Sequence, residues 1–237
     1  MDVVAEVWAR ILAEQPPPPG WVVAASGLAA LAIVASPGAW PLARHLVTIV
    51  HEGAHGVAAM LSGRELAGIR LHSDTSGVTV SRGRATGPGM VLTAAAGYLG
   101  PALLGLVTAW LLGARHAVGV LWLLLVLLTL LLLQIRNFFG LWSVLVSGFA
   151  VLAISWRAQA EWQSAFAYLV TWFLLLAAPR PVLELQSQRR GRRGKGSDAD
   201  QLARLTGLLG TAWVGIFLLA TVGALVLGAR LLLADWL

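Results

Sequence analysis

No cysteine occurs among the 237 residues, which excludes a disulfide framework and any thiolate-held metal. Lysine is nearly as scarce, because Lys195 is the single lysine among 17 basic residues. Charge of either sign is sparse at 12% of the chain, where a soluble domain carries about 25%. What replaces it is apolar: 58% of residues are hydrophobic and the mean hydropathy is +0.77. Such a chain reads as an all-α polytopic membrane protein that needs a lipid bilayer as its solvent. Arginine in place of lysine, with abundant Ala, Gly and Trp, points to a bacterium with a GC-rich genome, hence to a bacterial cytoplasmic membrane.

A conventional signal peptide is not expected at residues 1–20, "MDVVAEVWARILAEQPPPPG". The segment has Asp2, Glu6 and Glu14, no basic start, and no apolar core before the prolines. Val3, Val4, Val7, Trp8, Ile11 and Leu12 share a helical face, so the segment reads either as an amphipathic helix on the membrane surface, ended by Pro16 to Pro19, or as a loosely ordered tail. A membrane core over 21–178 follows. Apolar stretches at 21–40, 44–62, 90–112, 118–135, 138–156, 163–178 and 206–233 predict six to seven transmembrane helices. The first is the least regular, being punctuated by Pro37, Gly38 and Pro41.

Two polar segments interrupt the series. In the first, "GIRLH" and "GVTVSR" alternate around a "SDTSG" turn, predicting a small cytoplasmic β-hairpin at 66–82 after the second span. The second, 179–205, opens with Pro179 and Pro181, passes through an arginine-rich run expected to be a flexible loop, and ends in "SDADQLARL". There Ser197 or Asp198 is placed to cap the last helical unit, 206–237. With seven spans, thirteen of the 17 basic residues share a side with the hairpin and the basic loop. The positive-inside rule then puts that side, and with it the N-terminus, in the cytoplasm. Topology and anionic headgroups account for the arginines, and nucleic acid is not an expected partner.

Against this background "HEGAHG" at 51–56 stands out. Residues four apart share a helix face, so His51 and His55 can address one ion, with Glu52 beside them to take a proton from metal-bound water. Ionisable groups at membrane depth cost about 2.5 kcal/mol or more each, and a bound Zn2+ compensates them. The competing reading is a metal-free polar network between helices. His45, next to Arg44 at the helix start, reads as a snorkelling or capping residue.

The chain resembles the site-2 protease family of intramembrane zinc metalloproteases, in a bacterial site-2-protease-like branch. The resemblance rests on "HEGAHGVAAMLSGREL" at 51–66, "SGVTVSRG" at 76–83, "AAGYLGPALLG" at 95–105, "RNFFG" at 136–140 and "SDADQLA" at 197–203. It implies hydrolysis of membrane-anchored protein substrates, zinc held by His51 and His55, Glu52 as catalytic base, and a hairpin that presents an unwound substrate strand. Typical members add an aspartate ligand from an "LDG"-type motif after an asparagine. Here Asn137 has no aspartate after it. Asp198 is the first candidate for the third ligand and Asp200 the alternative, and a plain helix cap remains open for Asp198. Asn137 is a candidate weak ligand or a substrate-orienting, oxyanion-binding amide. Asp74, Glu184 and His72 rank lower. Without a third ligand the chain would be a non-catalytic relative acting as a binding or scaffold partner. An ion-coupled transporter is less well supported, since no inverted repeat is visible.

Overall fold

The computed structural model describes residues 3–190 and 196–236. Its elements are α1 (Val3–Leu12), α2 (Gly20–Ala35), α3 (Trp40–Leu61), β1 (Glu65–Leu71), β2 (Gly77–Arg82), α4 (Pro88–Gly113), α5 (Ala117–Leu132), α6 (Phe138–Arg157), α7 (Ala160–Ala177), α8 (Pro179–Arg190), α9 (Asp198–Thr206) and α10 (Gly210–Leu233). Each apolar stretch of the sequence is a helix, and the polar insert is an antiparallel hairpin. Arg192, Arg193 and Lys195, the centre of the basic run, lie outside the described residues, as does Asp2.

Among the described residues, α4, α6, the α7–α8 unit and α10 are each long and apolar enough to cross a membrane. α2 and α3 make a fifth crossing if counted as one broken span, because they meet at 102°. Ser36 is extended ahead of Pro37, as the residue before a proline prefers, and its hydroxyl accepts from Ala39 N–H at 3.2 Å. α5, at 16 residues, is shorter than those four.

The broken pair corrects the predicted sidedness. α4 is 26 residues long, roughly 39 Å at 1.5 Å per residue. Its start lies by the end of α3, where Ser62 Oγ donates to Gly89 O at 3.4 Å. Its far end turns into α5, and there Gln15 N–H donates to Arg115 O at 2.8 Å while Gln15 Oε1 accepts from Val118 N–H at 3.1 Å. The N-terminal segment therefore sits at the end of the bundle away from the hairpin. Hydropathy measured two apolar lengths where the chain has one pair of helices bent by 102°.

The expected flexible loop over 179–205 also has more structure than its composition suggested. Helix resumes at Pro179, because a proline in a first turn gives up an N–H that has no helical partner anyway. α9 follows, capped by Ser197 and closed by Gly207 in the left-handed region at φ 76°. Val182, Leu185, Ala199 and Leu202 pack against Ala94, Ala95, Val214 and Phe217, which draws both helices onto α4 and α10. The outer faces stay apolar: Leu219, Phe149 and Trp162 are 78%, 73% and 69% exposed, a surface suited to lipid.

The hairpin doubles back along α3. β1 pairs with β2 in the register Glu65↔Arg82 to Leu71↔Gly77, with an irregularity between Leu66 and Gly68. The other edge of β1 is also occupied. Ile69 N–H donates to Gln134 O at 2.8 Å, and Arg136 N–H to Ile69 O at 2.9 Å. Asn137 then mimics a neighbouring strand, its Nδ2 donating to Leu71 O at 2.6 Å and its Oδ1 accepting from Leu71 N–H at 3.2 Å. At the tip, Arg44 donates to Thr75 Oγ1 and Thr48 to Thr75 O, both at 2.8 Å.

Candidate metal centre

His51 and His55 lie one turn apart on α3, as their spacing requires. α4 crosses this face closely because Gly97 and Gly100 oppose it. A Cβ on Gly97 would lie 2.6 Å from His51 Nε2, and one on Gly100 would run into Ala54. Gly105 instead accommodates Leu175 of α7. Two of the three glycines in "GYLGPALLG" thus let α4 approach the histidine helix.

His55 is buried, and its Nδ1 lies 2.7 Å from Thr93 O. A carbonyl only accepts, so Nδ1 donates to Thr93 O and the ring turns its Nε2 towards His51. The two Nε2 atoms are 3.1 Å apart. Asp198, in the first turn of α9, brings Oδ2 to 3.3 Å from both. Burial raises the Asp198 pKa, but hydrogen bonds from His51 and His55 outweigh it and hold the carboxyl well below the usual carboxylate range. His51 also meets the edge of Tyr98 at 4.9 Å between ring centroids, and Tyr98 stacks on Phe217 of α10.

One ligand atom from each of His51, His55 and Asp198 falls within a 4.8 Å group able to hold a metal ion. The donor set suits zinc: bonds of about 2.0–2.1 Å in a tetrahedron separate neighbouring donors by roughly 3.3 Å. The spacings of 3.1, 3.3 and 3.3 Å match that figure.

Glu52 is buried beneath the hairpin. Thr79 Oγ1 lies 2.7 Å from Glu52 Oε2 and 3.0 Å from Glu52 O, and its one proton serves either. Gly77 leaves the space the glutamate fills, since a Cβ there would stand 2.5 Å from Glu52 Cγ.

The remaining candidates are engaged elsewhere. Both oxygens of Asp200 are taken, by Arg189, Ser197 and Gly196 N–H. Asn137 has its amide on the Leu71 backbone rather than in the histidine group. Glu184 accepts from Trp40 Nε1 at 2.7 Å and pairs with Arg44 and Arg180, each at 3.3 Å. Asp74 caps the hairpin turn through Ser76, which also meets His72 Nδ1 at 3.2 Å. His45 lies tilted against Phe139. Thr79 and Thr93 were not singled out as partners of the histidines and Glu52. The period of two in "GVTVSR", which puts Gly77, Thr79 and Ser81 on one face, is the signal from which Thr79 could have been found.

A helical membrane protein with an HExxH helix and a converging carboxylate is built as a membrane-embedded metallopeptidase. The chain belongs to the Peptidase M50B-like family of the site-2 protease group, whose family model matches residues 24–228. Neither a curated protein nor a solved structure matches it.

Proposed function

We propose that the chain is a zinc metalloprotease that hydrolyses peptide bonds of membrane-anchored proteins, with Glu52 as general base. The observation that carries this reading is the approach of the Asp198 carboxylate to both imidazoles, at 3.3 Å each. It supplies the third protein ligand whose absence favoured a non-catalytic relative. Zinc held by His51, His55 and Asp198 would supply a Lewis acid that brings the pKa of water towards 7 and polarises the scissile carbonyl.

The chain's own residues supply the rest. Thr93 fixes the tautomer of His55, so a lone pair faces the group. Thr79 holds one carboxylate oxygen of Glu52 and leaves Oε1 to take a proton from water, then to return it to the leaving amine. Asn137 acts indirectly, by fixing β1. The hairpin leaves the outer edge of β2 for an unwound substrate segment to join by strand addition. By the positive-inside rule the hairpin end, with its arginines, faces the cytoplasm of a bacterial cell, and the N-terminal segment faces the other side.

The test compares membranes of cells carrying wild type, Glu52→Gln or His51→Ala by quantitative proteomics. Full-length membrane-anchored substrates should accumulate with both variants, while purified Glu52→Gln retains near-stoichiometric zinc. Identical profiles for all three strains would sink the proposal.

A further inference from the structure

Asp198 is the one member of the candidate metal group that does not come from α3. It is carried by a nine-residue helix outside the candidate spans, and a helix so short is marginal without tertiary support. Something must therefore fix the position of α9. Its apolar side does part of this, with Ala199 and Leu202 fully buried. Apolar packing is non-directional, whereas a partly buried ion pair can specify register.

The polar side supplies the missing constraint. Successive residues of an α-helix are turned by about 100°, so Asp198 and Asp200 point to nearly opposite sides. While Asp198 faces the histidines, Asp200 Oδ1 pairs with Arg189 Nη1 from the last turn of α8. Its Oδ2 accepts from Ser197 Oγ at 3.1 Å and from Gly196 N–H at 3.2 Å. The guanidinium has its own seat at the start of α10, where a Cβ on Gly210 would stand 2.9 Å from Arg189 Cζ. α8, α9 and α10 thus meet at one ion pair, just behind the carboxylate that approaches His51 and His55.

We infer that the Arg189–Asp200 pair is a positioning device for Asp198, setting the metal affinity of the site without touching the metal. This rests on the metalloprotease reading above. Partners that orient a metal ligand typically change affinity 10- to 100-fold when lost. The pair holds the helix that carries the ligand, and a similar loss is expected.

The test uses the full chain purified in detergent, with zinc affinity read by competition against a chromogenic chelator and thermal unfolding read without metal. Arg189→Gln and Asp200→Asn should each weaken zinc binding about 10- to 100-fold. The double variant should lose little more than the larger of the two single losses, because the shared ion pair is gone in all three. Arg189→Lys keeps a charge at the pair and should recover most of the affinity. Cobalt(II) spectra should show altered ligand-field bands in the two neutral variants and wild-type bands in Arg189→Lys. Variants that bind zinc as tightly as wild type, or affinity losses that add in the double variant, overturn the inference alone. A wild-type protein that takes up no zinc overturns the metalloprotease reading, and this inference with it.

Discussion

Replacing Gly97 with alanine sets helix preference against the metal centre. Alanine is favoured over glycine inside a helix by about 1 kcal/mol, so α4 itself should not suffer. The new methyl, however, would stand 2.6 Å from both Cε1 and Nε2 of His51, and nearer still to His55. Carbon atoms pack at about 3.5–4.0 Å, so the imidazoles must retreat by roughly 1 Å. Metal sites tolerate about 0.2 Å, and a 1 Å misplacement costs on the order of 100-fold. Gly97→Ala should therefore remain folded and lose bound zinc together with turnover. Metal analysis of detergent-purified protein, with a thermal scan of the metal-free form, reads both quantities. Gly223→Ala is the control, since no heavy atom lies within 4 Å of its added carbon. A Gly97→Ala protein with wild-type zinc content would refute the placement of α4 against the histidines.

Other outcomes follow from the same geometry. Thr79→Val removes the hydroxyl from Glu52 and should slow hydrolysis about tenfold or more while zinc stays bound, with Thr79→Ser close to wild type. Asn137→Ala strips two hydrogen bonds from the Leu71 backbone and should destabilise the hairpin by about 1–3 kcal/mol, read as faster protease cleavage within 65–82. Zinc added at 100 times its dissociation constant should stabilise the chelator-stripped protein by about 2.7 kcal/mol. That rise in unfolding temperature should vanish in Asp198→Ala.

The sequence made some of these features legible and concealed others for physical reasons. The helix carrying His51, Glu52 and His55 was legible because a period of 3.6 alone places them. The hairpin was legible from its period of two. Asp198 emerged because acids are few and because "SDADQLA" resembles the family, since nothing local links it to the histidines. That Asp200 is excluded was not visible, because the exclusion depends on Arg189 arriving from another helix. The sharp turn between α2 and α3 was hinted at by Pro37 and Gly38, but hydropathy carries length and not direction. The segment at 179–205 looked flexible because arginine and glycine dominate its centre. Yet the i, i+3 pairs Val182/Leu185 and Ala199/Leu202 mark two helices that dock.

That the third carboxylate rides on α9 has a consequence for biosynthesis. His51 and His55 leave the ribosome about 140 residues before Asp198, an interval of roughly 7–30 s at 5–20 residues per second. During that time the first spans can insert and the hairpin can settle over Glu52 with only two imidazoles at the centre. The histidines gain their carboxylate only after α9 has been made and has docked. On the metalloprotease reading proposed above, competence waits for the synthesis of α9, and a nascent copy that stops short of it lacks the carboxylate that completes the group.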